Sequence, residues 1–151
     1  MVDVSDKAVT VREATAVGEL HVSKAVIDGI SEQKIAKGDV FAVARVAGIQ
    51  AAKKCADLIP LCHPLALSKV DVQFEVNARS QIIVARCYCK LSGKTGVEME
   101  ALTGVNVALL TLFDMCKAID PGMHLQNIHV IEKKGGKTGH WQASEAPGKA
   151  E

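Results

Sequence analysis

One stretch of helix length, residues 93–120, constrains this chain more than any other. It reads GKTGVEMEALTGVNVALLTLFDMCKAID, and its middle is apolar on nearly every side of a helix. A helix that is apolar all round must be covered on all of its faces. Charged side chains in such a helix cost free energy unless they are paired or used in chemistry. We therefore expect a functional site here, from Glu98 and Glu100 at the start of the stretch or from Asp114 and Lys117 near its end.

Length and composition restrict the class of protein. The chain of 151 residues suits one domain, 1–151, with residues 1–8 and 142–151 as flexible ends. Its net charge of +1 argues against a nucleic-acid partner, because such proteins are usually far more basic. The five cysteines are odd in number and show no CxxC spacing, which is typical of reduced thiols. With no signal peptide and no uninterrupted run of 18 apolar residues, we expect a cytoplasmic protein without a membrane partner.

Period-two alternation predicts two strands in the middle of the chain. Residues 69–78 alternate strictly between apolar and polar side chains, as a half-buried strand does. Residues 81–91 repeat the alternation after a short polar turn, with apolar side chains at Ile83, Ala85, Cys87, Cys89 and Leu91. The two segments should pair as an antiparallel hairpin.

Helical and strand patterns on either side of this hairpin complete the fold. Helices are predicted at 23–30 and 40–58, and strands at 8–17 and 125–132. Thr95 followed by Glu98 fits a capping box that begins the long helix, and Pro121 with Gly122 ends it. The order βαββαβ predicts an α+β, ferredoxin-like fold, in which the helices pack on one face of an antiparallel sheet.

Asp114 and Lys117 are the first candidate pair for chemistry. Their spacing of three residues would also suit an ordinary ion pair on a helix surface. The apolar neighbours Phe113, Met115 and Cys116 favour a functional role. Desolvation raises the pKa of an aspartate and lowers that of a lysine, so both would move towards values useful for proton transfer.

Glu98 and Glu100 form the second candidate pair. Glu98 has an ordinary explanation as the capping partner of Thr95, and either carboxylate also suits a helix N-terminus electrostatically. Glu100 and Asp114 share one stripe of the helix but lie 14 residues, or roughly 21 Å, apart. One small substrate cannot easily contact both residues of the same helix. Glu100 and Asp114 should therefore serve one site from two different subunits or have two separate functions.

The segment LIPLCHPL at 58–65 predicts a stiff loop. Its prolines bracket Leu61, Cys62 and His63 and restrict the backbone on both sides. Such a loop can present backbone groups and one imidazole to a ligand. It can equally be a structural loop with a half-buried histidine.

Lysines and small motifs supply weaker signals. Lys37 and Lys53 are candidate phosphate contacts, although most lysines are simply solvated. The string GKTG occurs at 93–96 and again at 136–139, but neither copy is a P-loop because the required earlier glycine is missing. A backbone nest for an anion remains open. Cys87 and Cys89 fall on an apolar strand face, and no histidine has ligand spacing, so no metal site is expected.

Several strings together resemble one family. They are MVDVS at 1–5, TVREA at 10–14, KGDVFAVARVAGIQAAKK at 37–54, DLIPLCHPL at 57–65, GKTGVEMEALTGVNVALLTLFDMCKA at 93–118 and GGKTG at 135–139. They are similar to the cyclic pyranopterin monophosphate synthases, the molybdenum cofactor biosynthesis protein C (MoaC) family. The resemblance covers nearly the whole chain.

The resemblance implies a reaction and a set of residues. Members of the family convert 3′,8-cyclo-7,8-dihydro-GTP to cyclic pyranopterin monophosphate, a lyase reaction that releases pyrophosphate. The implied catalytic residues are Asp114, Lys117, Lys37 and His63. The implied substrate-binding residues are Leu61, Cys62, His63, Met99, Glu100, Glu98, Lys53 and Arg12. On this basis the phosphates would be held by Lys37, Lys53 and Arg12.

The resemblance also implies an assembly. The family fold is ferredoxin-like, and the expected oligomer is a homohexamer, a trimer of dimers, with active sites between subunits. No metal or organic cofactor is required, although Mg²⁺ could accompany the triphosphate.

A different class of function stays open at this point. A fold does not determine a function, and ferredoxin-like domains also occur as non-catalytic regulatory modules. The chain could therefore be a nucleotide-binding regulatory module. In that case Asp114 and Lys117 would be structural. A nucleic-acid module ranks last, because the chain has only five aromatic residues with which to stack bases.

Overall fold

An antiparallel sheet with helices on one face forms the part of the chain that the computed structural model describes, residues 1–144. The elements in chain order are β1 Thr10–His21, α1 Lys24–Ser31, α2 Val40–Lys53, α3 Cys55–Leu58, β2 Lys69–Asn77, β3 Ile82–Gly93, α4 Glu98–Cys116, β4 His124–Lys134 and β5 His140–Gln142. Of the tail predicted at 142–151, residues 145–151 lie outside the described residues.

The sheet has the strand order β2-β3-β1-β4-β5, and every neighbouring pair is antiparallel. This arrangement confirms the predicted ferredoxin-like α+β fold. The hairpin of β2 and β3 is also confirmed, with Val72 paired to Cys87. The three-residue strand β5 was not predicted, and it extends the sheet beyond β4.

The core lies between the sheet and α4. The alternating side chains of β3 are buried as predicted, and they pack in one cluster with the buried face of α4: Ile83, Ala85, Cys87, Cys89, Leu91, Val105, Leu109 and Leu112. By length and composition alone α4 could cross a membrane. Ten of its 19 residues are nevertheless buried against the rest of the chain, as expected of a core helix.

Two glycines allow α2 and α4 to pack closely. A Cβ atom placed on Gly104 would lie 3.2 Å from the Gly48 carbonyl oxygen, and one on Gly48 would lie 3.0 Å from the Gly104 carbonyl oxygen. Side chains at either position would therefore push the helices apart. The predicted single helix at 40–58 is wrong in one respect: it breaks at Lys54, whose backbone (φ −108°, ψ 15°) departs from helical geometry and separates α2 from α3.

The predicted start of α4 is also wrong. Val97 occupies the capping position, and no side chain caps the helix there. The carboxylate of Glu98 instead accepts a hydrogen bond from Lys133 of β4. Residue Gly93 ends β3, so the helix is shorter than the 93–120 stretch.

The expectation that α4 would be covered on all faces is not met within one chain. Leu110 is 57% exposed, and Val43 and Val46 on the neighbouring α2 are 46% and 59% exposed. These helices therefore present apolar side chains that a single copy leaves uncovered.

Candidate functional site

Asp114 lies at the centre of an ion-pair cluster at the end of α4. Its Oδ1 accepts a hydrogen bond from Lys117 Nζ at 2.8 Å, and its Oδ2 accepts one from Lys37 Nζ at 2.7 Å. Lys37 also donates to the Asp114 carbonyl oxygen at 3.2 Å. Lys117 is the residue that directly follows α4, whereas Lys37 lies in the segment before α2.

The environment of this cluster differs from the expected one. The Asp114 side chain is 53% exposed, so burial is not the main influence on its pKa. Hydrogen bonds from Lys117 and then Lys37 instead lower the pKa of Asp114 to about 2. The predicted desolvation of this aspartate is therefore wrong, because Phe113, Met115 and Cys116 turn away into the core or its border while residue 114 points outward. A carboxylate with this pKa stays ionised at neutral pH and orients the two lysines.

Two cavities lie at the N-terminal end of α4, opposite to Asp114, and the larger one has a volume of about 800 Å³. Arg12, Glu98 and residues of both GKTG segments line it. Its charged lining residues are Lys7, Arg12, Lys133, Lys134 and Lys137 on the positive side, and Asp6, Glu13 and Glu98 on the negative side. The excess of cations suits an anionic ligand.

Glycines at the edge of this cavity pack against Arg12. Gly135 and Gly136 have φ of +95° and +74°, a backbone conformation that favours glycine. A Cβ on Gly136 would overlap Nη1 of Arg12, and one on Gly135 would overlap the carbonyl oxygen of Val11. The glycine pair therefore lets the backbone lie directly on the arginine.

Polar atoms in this cavity lack partners. Arg12 Nη2 donates to the Lys94 carbonyl oxygen at 3.3 Å, but its Nε is buried and has no hydrogen-bond partner among residues 1–144. The Oγ1 of Thr10, which also lines the cavity, is likewise buried and unpartnered in the described part of the chain. Since buried polar groups are usually satisfied, these atoms indicate a place for a polar ligand or water.

Glu98 and Lys133 form a half-buried ion pair in the same cavity. Lys133 Nζ donates to Glu98 Oε1 at 2.8 Å. Partial burial opposes ionisation of Glu98, but the hydrogen bond from Lys133, a backbone hydrogen bond and nearby positive charge outweigh it and lower its pKa. The pair is therefore charged at neutral pH.

A smaller cavity, of about 330 Å³, adjoins the larger one, and Lys7, Thr95, Gly96 and Glu98 line both. It brings together the two predicted substrate-contacting segments, with lining residues Leu61, Cys62, His63, Met99 and Glu100. Glu100 is 4% exposed, and burial raises its pKa. His63 Nε2 lies 2.8 Å from the carbonyl oxygen of Val2.

The structure thus separates the predicted site residues into two groups. Arg12 and Glu98 lie in the larger cavity, and the segments 61–63 and 98–100 meet at the smaller one. Lys37, Asp114 and Lys117 lie at the other end of the continuous helix α4, roughly 21 Å away by helix rise. Lys37 is therefore not brought together with Arg12 in one chain. Lys53 is exposed at the end of α2 and lines neither cavity.

The cavities also contain residues that the sequence analysis did not name as substrate contacts. Lys7, Thr95, Lys133, Lys134 and Lys137 line the larger one. The repeated GKTG string was the available signal, since both copies contribute to this cavity. Within residues 1–144 no cluster of three or more His, Cys, Asp or Glu side chains has metal-binding geometry.

The chain matches the model of one known protein family. The model of the MoaC family matches residues 1–136. This range includes the Lys37–Asp114–Lys117 cluster and every residue that lines the two cavities except Lys137 and Thr138. The match spans most of the chain. The protein therefore belongs to the MoaC family, a family of biosynthetic enzymes of molybdenum cofactor formation.

Proposed function

We propose that this protein is a cyclic pyranopterin monophosphate synthase, a phosphorus-oxygen lyase. It would convert 3′,8-cyclo-7,8-dihydro-GTP to cyclic pyranopterin monophosphate and release pyrophosphate. The observation that carries the proposal is the cation-lined cavity of about 800 Å³ joined to a smaller cavity with buried Glu100. The first offers room and charge for a triphosphate, and the second offers a mainly apolar recess, with His63 and Glu100 as polar groups, for the base.

The larger cavity supports phosphate binding. Five cationic side chains line it against three carboxylates, and the buried Nε of Arg12 has an unused hydrogen to donate. A guanidinium can hold phosphate oxygens through several hydrogen bonds at once. We assign the phosphates to Arg12 with the neighbouring lysines, rather than to Lys37.

The Asp114 cluster supports proton transfer. Asp114 has a pKa of about 2 and cannot hold a proton at neutral pH, so it is unsuited to act as the acid. Its two oxygens instead fix the ammonium groups of Lys37 and Lys117 close together. We propose that these lysines exchange protons with the sugar and pterin centres while Asp114 orients them.

The separation of the two groups supports a site shared between copies. The cavity of one copy and the Lys37–Asp114–Lys117 cluster of another would form one complete site. The exposed Val43, Val46 and Leu110 on the helical layer provide apolar surface for such an association. The assembly that we propose is the homohexamer, a trimer of dimers.

Cofactor and location are part of the same proposal. We propose a reaction that needs no resident metal or organic cofactor, with Mg²⁺ as an optional companion of the triphosphate. The five free cysteines support a reducing, cytoplasmic location.

The test is turnover of the proposed substrate. Purified protein is incubated with 3′,8-cyclo-7,8-dihydro-GTP, pyrophosphate release is followed, and the organic product is identified by mass spectrometry. We expect pyrophosphate and cyclic pyranopterin monophosphate in equal amounts. Tight binding without product would contradict the proposal and favour a nucleotide-binding regulatory module.

A further inference from the structure

The N-terminal arm, residues 1–9, contains no helix or strand but is fastened to the candidate site at two points. The carbonyl oxygen of Val2 lies 2.8 Å from Nε2 of His63. Further along the arm, the carbonyl oxygen of Ser5 accepts a hydrogen bond from Lys94 Nζ at 2.7 Å. The arm therefore bridges the loop after α3 and the connection between β3 and α4. Val2, Val4 and Lys7 form part of the wall of the smaller cavity.

The contact with Val2 determines the role of each ring nitrogen of His63. A carbonyl oxygen can only accept a hydrogen bond, so Nε2 must carry the hydrogen. In a neutral imidazole the other nitrogen, Nδ1, is then the acceptor. Among residues 1–144 no side chain or backbone group forms a hydrogen bond to Nδ1. Nδ1 is thus the ring atom that is free to exchange a proton.

We infer that the N-terminal arm is a positioning element of the active site, in which the main-chain carbonyl of Val2 holds His63 as the Nε2–H tautomer and leaves Nδ1 to take or give the proton. The proton-exchange part of this inference rests on the proposed function. The tautomer part does not, because it follows from the hydrogen bond alone.

The arm has internal structure that keeps the carbonyl in place. Asp3 Oδ1 accepts hydrogen bonds from the backbone nitrogen of Ser5 at 2.9 Å and from its hydroxyl at 2.6 Å. The nitrogen of Lys7 donates to the Val4 carbonyl oxygen at 3.1 Å. The Val2 side chain, in contrast, is 72% exposed. The position of Val2 thus depends on the backbone and on Asp3, and its own side chain contributes little.

This division provides matched variants. Val2→Ala removes an exposed side chain but keeps the carbonyl. Deletion of residues 1–3 removes the carbonyl, and Asp3→Ala loosens the turn without touching His63. The ring nitrogens of His63 are observed by long-range ¹H–¹⁵N NMR in the full-length protein, and their signals are assigned by their loss in His63→Gln.

We expect the wild type and Val2→Ala to show Nε2–H as the one neutral tautomer of His63. The deletion, and to a smaller extent Asp3→Ala, should show a mixture of tautomers. On the substrate, the deletion should lower kcat by at least roughly tenfold, as for a misplaced acid–base group, and change the pH profile of kcat. The activity control is Val9→Ala, since Val9 lies in the same arm, is 62% exposed and lines neither cavity; this variant should stay within about twofold of wild type.

An Nδ1–H tautomer in the wild type would overturn the inference. So would an unchanged tautomer after deletion of residues 1–3. If the deletion variant does not fold, the tautomer of His63 in the wild type and in Asp3→Ala still tests whether the Val2 carbonyl holds the ring. Failure of the proposed function would appear separately, as no turnover by wild type whatever the tautomer.

Discussion

The ammonium of Lys133 donates a hydrogen bond to Oε1 of Glu98 at 2.8 Å and so joins the end of β4 to the first turn of α4. Both side chains are about one-third exposed and line the cation-rich cavity. The pair therefore connects the stability of the fold with the charge of the site.

Glu98→Gln should weaken this connection. We expect a loss of roughly 1 kcal/mol in the free energy of unfolding at neutral pH, because Lys133 keeps a neutral acceptor but loses the charged one. Since the folded-state pKa of Glu98 is lowered, its contribution exists above the ordinary value of 4.5 and is lost as pH falls through the lowered value. Urea unfolding at neutral and acid pH measures both effects. Glu32→Gln, in the exposed pair with Lys34, is the control and should change little. A pH-independent difference would contradict the prediction.

Asp114→Asn should impair catalysis without unfolding the protein. The amide cannot bind both ammonium groups as the carboxylate does, so we expect kcat to fall on the order of 10²-fold or more. Urea unfolding should hardly change, because the side chain is exposed. Asp28→Asn is the matched control, since Asp28 forms a similar exposed pair with Lys24 at 2.6 Å.

The pH profile adds a second check on Asp114. With a pKa of about 2, Asp114 stays ionised through the mildly acid range. Its attraction for Lys37 and Lys117 is lost only as the pH falls from 3.8, the ordinary pKa of an aspartate, towards 2. A change in kcat between about pH 5 and 8 must therefore come from another group. Direct observation of the Asp114 carboxyl carbon titrating near neutral pH would refute this assignment.

Gly136→Ala should displace Arg12. A methyl group there would overlap the guanidinium, and φ of +74° already strains any other residue. Gly139→Ala provides the control, because Gly139 has φ of +62° but nothing within 4 Å of its Cβ position. Both variants should lose about 1 kcal/mol or more of stability from backbone strain. Only Gly136→Ala should also raise KM, by about tenfold, through Arg12. Equal KM values for the two variants would show that Arg12 does not hold the substrate.

Mixed oligomers test the shared site. Glu100→Gln alters the cavity end of α4, and Asp114→Asn alters the lysine cluster at the other end. If each site takes Glu100 from one copy and Asp114 from another, complete subunit exchange in an equal mixture of the two inactive variants should restore about a quarter of wild-type activity. In such a mixture half of the sites receive an intact Glu100, and half of those also receive an intact Asp114. Exchange is followed with fluorescently labelled subunits. Full exchange without recovered activity would exclude the shared site.

Local patterns predicted the elements well where one face is buried. The alternation in β2 and β3 follows directly from burial of one sheet face, and Ile83, Cys87 and Leu91 lie in the core as expected. The predicted strand at 8–17 was too short, because β1 continues to His21 by pairing with both β3 and β4. Neighbouring strands thus extended an element that its own residues only partly specify.

Interactions distant in sequence account for the errors at the site. Thr95 and Glu98 have the spacing of a capping box, but Lys133 lies within hydrogen-bond distance of Glu98 only after β4 joins the sheet. The apolar neighbours of Asp114 suggested burial, yet the helix turns that residue outward, where it meets Lys37 from 77 positions away. The sequence contains these partners without indicating that they meet.

By itself the sequence determined the fold class, the buried face of β3 and the long apolar helix, because these depend on local periodicity, and its resemblance to a known family supplied most of the candidate site residues. Only the tertiary structure decided how the candidates group. It brought the two GKTG segments to one cavity, fastened Val2 to His63, and kept Asp114 exposed at the far end of α4. The physical reason is that a charged side chain takes its pKa and its partners from whatever the folded chain places within a few ångströms, and no local pattern encodes that distance.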